Sequence, residues 1–264
     1  MAENDEFSFW DHLDVLRSVI FKIIIVGGLC ALLAFSFKEI LFKVVLAPKD
    51  CDFITYRILQ TEPFRITLIN TGLTEQFLVH MKAALFFGIL CASPYIIYQL
   101  YKFIAPALYD SERKYSVRVI GSAYAMFCVG ALVNYFLIFP LTVRFLGTYS
   151  VSSDVQNMLT IQSYMDTLLM MSLVFGLVFE IPVVSWLLAL MGVLKHVWMK
   201  RYRKHAFVAI IVVAAVITPT SDAFTLFIVS LPIWLLYEFS ILIVKVTERR
   251  KQDDTKLESS ENSK

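Results

Sequence analysis

Charged residues are scarce in this chain. Asp, Glu, Lys and Arg together make up 17% of its 264 residues, whereas apolar residues make up 58%. A water-soluble domain carries about a quarter charged residues, so this composition needs lipid as its solvent and predicts an integral membrane protein. The net charge of only +2 gives no reason to expect nucleic acid as a partner.

Signals for disulfides, metal sites and cleaved leaders are missing as well. Three of the four cysteines fall inside apolar runs, and the fourth, Cys51, has no second cysteine in its polar loop. The sequence therefore predicts neither a disulfide framework nor a CxxC metal site. The four histidines are scattered, and we expect no metal or other cofactor. The N-terminal MAENDEF is acidic and lacks the basic segment of a cleaved signal peptide, which predicts that the first apolar run is retained as an anchor.

Long apolar runs, in contrast, are abundant. A membrane-crossing helix needs about 20 mainly apolar residues, and every run except the fifth meets that length. The fifth run gives about 18 Å of helix against about 30 Å of hydrocarbon, so it is either a re-entrant half-span or a short span shielded by its neighbours. The polar turn Thr218–Ala223 that follows it favours the short span. The six runs are Val19–Phe37, Phe77–Tyr101, Val119–Phe139, Leu168–Leu190, Ala206–Ile217 and Phe224–Val244.

These runs predict an all-α membrane protein with six transmembrane helices within residues 1–245, arranged as a concave bundle in which the fifth and sixth helices are short. Lys and Arg concentrate in residues 102–118, 195–204 and 245–264. Because positively charged loops stay in the cytoplasm, we expect both termini on the cytoplasmic side. The chain after Thr247 is highly charged and contains Leu257 as its one large apolar residue, so residues 246–264 are predicted to be a disordered cytoplasmic tail.

The first loop, residues 38–76, is the exception to the charge rule, because it mixes five basic with five acidic residues. We place it on the outer side, because the three more basic segments determine the orientation of the chain and leave loop 1 on the opposite side. Apolar residues recur at helical spacing from Ile40 to Val45, and Pro48 ends the run. This pattern predicts a short amphipathic helix at the outer membrane surface.

Polar residues inside the apolar runs carry most of the functional information. Glu180 stands within the fourth run, and Pro182 after it removes a backbone donor and predicts a kink. A carboxyl group in hydrocarbon must find a partner or take up a proton. Two interpretations remain open for Glu180: a protonated side chain that joins two helices of the bundle, or a polar contact for a partner helix inside a concave face.

Other polar and proline positions in the runs predict architecture rather than chemistry. Lys82 lies near one end of the second run and is expected to extend its ammonium toward the surface, with Glu75 as the nearest candidate partner in sequence. Asn134 predicts an interhelical hydrogen bond. Pro94 and Pro232 are expected to bend their helices and so help to form a concave bundle.

Two segments on the predicted cytoplasmic side combine charge with aromatic residues. In the loop after the second run, Glu112 follows Phe103 and Tyr109. This is either an ordinary solvated loop or a carboxylate that accepts an arginine guanidinium through two hydrogen bonds. At the start of the chain, Asp14 and Arg17 are three residues apart on a predicted helix and are able to pair with each other.

Four segments in order give the chain a resemblance to the TatC family, the multi-spanning subunit of the twin-arginine translocase, from about Phe9 to Glu238. Each is weak alone, but together on six spans they are specific. They are His12-Leu13-Asp14-Val15-Leu16-Arg17, similar to the family's HLxELR; Phe103-Ile104-Ala105-Pro106 with Glu112-Arg113, similar to FxxPxLxxxER; Phe179-Glu180-Ile181-Pro182, similar to FExP; and Thr218-Pro219 with Asp222 and Leu236-Tyr237-Glu238, similar to TPxxD and LYE.

The resemblance implies a receptor, not an enzyme, in a bacterial cytoplasmic (inner) membrane. Its implied partners are twin-arginine signal peptides of folded cargo, single-span subunits of the TatA and TatB type, further copies of itself and the lipid bilayer. It implies export driven by the proton-motive force without nucleotide, and the chain has no GxxxxGK[ST] loop. The residues implied in signal-peptide binding are Asp14, Arg17, Phe103, Pro106, Tyr109, Glu112 and Arg113.

The resemblance further assigns Glu180 and Pro182 to contact with a partner helix, and Glu75 and Asp222 to structural positions at the outer face. One departure concerns the first segment, where Val15 replaces the family glutamate. Either Asp14 substitutes for that glutamate, although its side chain points about 100° away on a helix, or Glu112 carries more of the charge. The alternatives in other classes are a small-solute or ion transporter that uses Glu180, and a purely structural subunit of a larger membrane complex.

Overall fold

The computed structural model describes residues 9–60, 63–64, 66–104, 116–149, 158–218 and 222–261. Helices dominate this part of the chain, and one pair of two-residue strands joins two of the connections. In chain order, the elements are α1 (Phe9–Ser36), α2 (Lys38–Leu46), α3 (Ile54–Ile58), β1 (Leu68–Ile69), α4 (Glu75–Ile104), α5 (Ser116–Val133), a π-helix (Asn134–Ile138), α6 (Phe139–Thr148), β2 (Leu159–Thr160), α7 (Ile161–Val178), α8 (Ile181–Leu190), α9 (His196–Arg201), α10 (Arg203–Ile217) and α11 (Ala223–Glu261).

Within the described residues, five helical stretches are long and apolar enough to cross a membrane, with lengths from 24 to 32 residues. They are Leu13–Ser36, Glu75–Phe103, Val117–Thr148, Ile161–Leu190 and Ala223–Lys251. The predicted fifth run corresponds to α10, whose 15 residues reach about 22 Å. The six predicted runs therefore fall almost wholly within helices, and five of these stretches have the length of a full span, while the count of six transmembrane helices stays a prediction.

The prediction of a short sixth helix is wrong, and so is the prediction of a disordered tail. The last helix, α11, is 39 residues long and continues through Glu261. After Pro232 the chain contains no proline or glycine and many Glu, Lys and Arg residues, which are good helix formers. Extending an existing helix also avoids the cost of nucleation, so a charged segment that cannot form a core can still stay helical.

The first and second spans pack as an antiparallel pair. Near one end, the ring of Phe35 stacks on His80 with 4.0 Å between the ring centroids. Further along, Gly88 lies so close to α1 that a Cβ atom there would come within 2.5 Å of the backbone nitrogen of Ala31. Glycine at position 88 therefore allows α1 and α4 to meet backbone to backbone.

The "N-terminal side" of the bundle is the side where α1 begins, and the "loop 1 side" is the opposite one.

The third and fourth spans form the centre of the core. Gly130 allows α5 to approach the backbone of Phe175, and Gly176 contacts the ring of Phe127 in return. At the junction of α5 and the π-helix, the side-chain amide of Asn134 donates to the Ser172 hydroxyl at 2.8 Å, which confirms the predicted interhelical hydrogen bond. Phe139, Met165, Met171 and Phe175 are fully or almost fully buried beside this contact.

On the loop 1 side, tyrosine hydroxyls attach the first loop to the third and fourth spans. The predicted helix after the first span is present as α2, with Leu41 and Val45 buried. Tyr164 donates to the Val45 carbonyl at 2.9 Å, and Tyr135 donates to the Val44 carbonyl at 2.7 Å. The loop is thus a fixed cap on the bundle.

Tyr56 continues this attachment from α3. Its hydroxyl lies 2.9 Å from the Pro48 carbonyl and 2.8 Å from the Pro140 carbonyl, and its side chain is almost fully buried. Burial raises the pKa of the Tyr56 phenol above its ordinary value, while the positive charge of Arg144 partly opposes the shift. The phenol therefore stays neutral and keeps its one O–H donor, which is shared between the two carbonyls.

Candidate functional site

The start of α1 and the end of α4 lie on the same side of the bundle. Arg17 stands fourteen residues before Ala31, and Lys102 stands fourteen residues after Gly88, the residue that Ala31 touches. Because the two helices are antiparallel with the same rise per residue, Arg17 and Lys102 lie at about the same depth. The packing of the two spans therefore brings the first turns of α1 next to the segment that follows α4.

The side chains on this side are accessible. Asp14 and Arg17 are both exposed, and Phe103 is half-buried at the end of α4. The guanidinium of Arg17 lies 5.7 Å from the ring centroid of Phe21, and among the described residues no ion pair joins it to Asp14. The Asp14 carboxylate is thus open to a ligand.

Four of the residues predicted for this site lie outside the described residues. They are Pro106, Tyr109, Glu112 and Arg113. Both ends of the segment that contains them are described: α4 ends at Ile104 and α5 begins at Ser116. Tyr101 near the end of α4 and Val119 near the start of α5 belong to one buried cluster, so both described ends lie on the N-terminal side of the bundle.

Glu180 lies at a break in the fourth span. The helix α7 ends at Val178, and α8 starts at Ile181 with Pro182 in its first turn. The Glu180 backbone carbonyl accepts the first hydrogen bond of α8, from Val184 at 2.9 Å. The Glu180 N–H bonds instead to the Leu177 carbonyl, three residues back, at 3.1 Å, so the regular helical hydrogen bonding is interrupted just before Pro182.

The Glu180 carboxyl group is half-buried, and none of the described residues supplies a hydrogen bond to its Oε1 atom. The preceding Phe179 packs against α5 beside Gly130. A buried carboxyl oxygen without a donor is costly in hydrocarbon. The geometry allows two solutions: protonation, or a hydrogen bond from a donor that another chain provides.

An interhelical ion pair connects the second and fourth spans. The ammonium of Lys82 lies 2.7 Å from Oδ1 of Asp166, so Asp166, and not Glu75, is its partner. Asp166 lies outside the predicted fourth run, which begins at Leu168, whereas α7 begins at Ile161. The signal that could have indicated this partner is an acidic residue only two positions before an apolar run, together with a lysine inside another run.

Glu75 and Asp222 are helix-capping residues on the loop 1 side. Oε2 of Glu75, the first residue of α4, accepts hydrogen bonds from the backbone N–H groups of Thr71 and Gly72, each at 2.8 Å. Oδ2 of Asp222 accepts from the backbone N–H of Thr225 at 2.7 Å, in the first turn of α11. Both carboxylates satisfy backbone donors near a helix start and favour its dipole.

A second connected region lies on the N-terminal side, where the connection between α8 and α10 packs on α11. Tyr237 donates to the Met199 carbonyl at 2.8 Å, and Arg203 pairs with Glu238. About three turns further along α11, Glu248 accepts from the backbone N–H of His196 at 3.0 Å and contacts its imidazole. These contacts give the Tyr237-Glu238 pair a structural role. Across the described ranges, no group of three His, Cys, Asp or Glu residues is placed to hold a metal ion.

Comparison with known proteins identifies the family. A sequence model described as "Sec-independent protein translocase protein (TatC)" matches residues 11–232. The chain belongs to the TatC family. A TatC protein from Desulforapulum autotrophicum is 32% identical over 99% of this chain and 92% of its own length, and the TatCy protein of Bacillus subtilis is 35% identical over 72% and 75%.

A solved TatC structure, described as the twin arginine translocase receptor, superposes with a TM-score of 0.76 at 31% identity and covers 89% of this chain and 99% of that chain. The same receptor in a second crystal structure gives 0.75 at 30% identity. The chain is therefore a multi-span membrane subunit of the Sec-independent translocase type. TatC membership favours the translocase over the solute or ion transporter.

Proposed function

We propose that this TatC-family chain is the core receptor subunit of a twin-arginine translocase, which binds signal peptides on its N-terminal side and organises single-span partner subunits in the membrane. The observation that carries the proposal is the antiparallel register of α1 and α4. It puts the exposed Asp14 and Arg17 at the depth of Lys102 and Phe103, directly before the segment that contains Glu112.

The proposed ligand chemistry is that of two adjacent guanidinium groups. A carboxylate accepts a guanidinium through two parallel N–H···O bonds, whereas a lysine ammonium cannot reproduce this fork. Glu112 is the main proposed anion, and the exposed Asp14 is a second one on the neighbouring helix. Phe103 and Tyr109, with Pro106 between them, would contact apolar residues of the signal peptide. Arg17 and Arg113 would be the positively charged residues of the same binding surface.

Asp14, in this proposal, takes the role that Val15 leaves open. Val15 is 44% exposed and cannot bind a cation, so the position of the family glutamate has no charge in this chain. Asp14 is exposed as well, and its carboxylate has no ion-pair partner among the described residues. Arginine binding therefore depends mainly on Glu112, with Asp14 in support.

Photo-crosslinking of a twin-arginine signal peptide to the segment 105–115 tests the receptor proposal. The probe residue is placed next to the arginine pair, and the full-length protein is used in membranes. We expect Glu112→Ala to reduce the crosslink about tenfold or more, as loss of a charge-assisted contact predicts. The matched control Glu39→Ala changes an exposed carboxylate in α2, on the loop 1 side, and should leave the crosslink unchanged. Equal crosslinking of Glu112→Ala and the parent would refute the docking site.

For Glu180, we propose a hydrogen bond to a polar side chain of a single-span partner subunit. The support is the half-buried carboxyl group, to whose Oε1 the described residues supply no hydrogen bond, at the break made by Pro182. The short α10 would contribute a locally thin membrane next to this contact. We further propose that both termini are cytoplasmic, in a bacterial inner membrane, and that export uses the proton-motive force.

A further inference from the structure

The Lys82–Asp166 ion pair lies at one end of an apolar groove between the second and fourth spans. Lys82 is the eighth residue of α4 and Asp166 is the sixth residue of α7, so both charges stand inside helices that cross the membrane. Each side chain is 43% exposed. Both charges stand about one to two turns from the start of a candidate span, a depth near the boundary between hydrocarbon and headgroups.

The ion pair leaves hydrogen-bonding capacity unused. One of the three ammonium protons of Lys82 is directed at Asp166 Oδ1, and the described residues provide no further partner for either group. A carboxylate has about four acceptor positions and an ammonium has three donors. In the interface of a bilayer, the polar groups available to satisfy them are water and lipid headgroups.

The groove below the ion pair continues toward the middle of the membrane. Both helices run from the loop 1 side to the N-terminal side, and the lining residues follow Lys82 and Asp166 by up to seven positions, or about 10 Å of helix. Its volume is about 440 Å³. Apart from the two charged residues, the lining is apolar and consists of Leu85, Phe86, Ile89, Leu169, Met170 and Leu173.

We propose that this groove binds a phospholipid with a primary-ammonium headgroup from the leaflet on the loop 1 side. The phosphate accepts from the Lys82 ammonium, the headgroup ammonium donates to the Asp166 carboxylate, and one acyl chain occupies the apolar groove. The site has no net charge, which matches a zwitterion. A quaternary ammonium has no N–H to donate to Asp166, and a glycerol headgroup has no positive charge to pair with it.

Native mass spectrometry of the full-length protein, titrated in detergent with phosphatidylethanolamine, phosphatidylcholine or phosphatidylglycerol, tests this site. We expect one bound phosphatidylethanolamine, with an affinity about tenfold higher than that for phosphatidylcholine, because one charge-assisted hydrogen bond is lost with choline. Equal affinities for the two lipids, or tighter binding of phosphatidylglycerol, would overturn the proposal.

Substitutions locate the lipid in the groove. Lys82→Gln and Asp166→Asn should each lower the affinity about tenfold, whereas Lys22→Gln, a matched change of an exposed lysine in α1, should leave it unchanged. Met170→Trp fills the groove but keeps the ion pair, so it separates lipid binding from the helix–helix contact, and it should also lower the affinity. An affinity within twofold of the parent in Met170→Trp would assign the ion pair to helix packing alone, even if the charge variants fold poorly.

Discussion

The contact between Gly88 and Ala31 offers a direct test of how α1 and α4 are held together and so of how the N-terminal side is formed. In Gly88→Ala, the new Cβ would start 2.5 Å from the backbone nitrogen and 2.6 Å from the Cα atom of Ala31. Ordinary contacts between such atoms are about 3.5 Å, so α1 and α4 must separate by about 1 Å. Overpacking of this kind costs about 1–3 kcal/mol, which corresponds to a factor of about 5–150 in the folding equilibrium.

The assay is unfolding of the purified protein in detergent, followed by helix content and by the fluorescence of its tryptophans. Gly27→Ala is the matched control, because it makes the same change on α1 at a position with no atom within 4 Å of the new Cβ. We expect Gly27→Ala to be neutral or stabilising by about 0.5–1 kcal/mol.

A second-site change sharpens the same test. The atoms nearest to the new Cβ include the Ala31 backbone nitrogen and Cα, so Ala31→Gly should not rescue Gly88→Ala. The separation of the helices should also increase the distance between spin labels at Leu16 and Phe103. Stability of Gly88→Ala equal to that of Gly27→Ala, or full rescue by Ala31→Gly, would refute the close backbone contact.

The remaining predictions concern the loop 1 cap, the proposed partner-helix contact and the C-terminal part of the last helix. Tyr56→Phe removes the hydroxyl that lies between two carbonyls and should lower the free energy of unfolding by about 1–3 kcal/mol. The first loop should also be cleaved faster by protease, and an unchanged cleavage rate would contradict the attachment of this loop through Tyr56. Glu180→Ala should weaken co-purification of a single-span partner and leave signal-peptide binding largely intact, whereas loss of both in a poorly folded protein would favour a structural role. Glu248→Ala removes the acceptor of the His196 N–H and should expose the α8–α10 connection to protease, with the exposed Glu39→Ala as the control that should not.

Much of this fold could be predicted from local patterns. Long apolar runs, the helical spacing from Ile40 to Val45, and proline at position 182 are properties of contiguous residues, and each has its expected counterpart in α2, the break before α8 and the spanning helices. The hydrogen bond of Asn134 could be expected because a buried amide in a membrane helix needs a partner, but its identity, Ser172, required the structure.

The features that sequence analysis missed depend on distant or context-dependent contacts. The ion pair of Lys82 joins residues 84 positions apart, and the parallel pairing of β1 with β2 likewise joins two separate connections. The helical continuation of α11 to Glu261 was missed because charge content argues against a core, not against a helix that a preceding span has already nucleated.

The central claim, that a carboxylate after the second span captures the paired arginines of a signal peptide, is tested most directly by a double-mutant cycle. Affinities are measured for a twin-arginine and a twin-lysine signal peptide, each with the parent protein and with Glu112→Gln. We predict a coupling of about 1.5–3 kcal/mol, which means that replacing arginine by lysine costs about 10- to 150-fold in the parent and little in Glu112→Gln. The same arginine preference in both proteins would contradict the account.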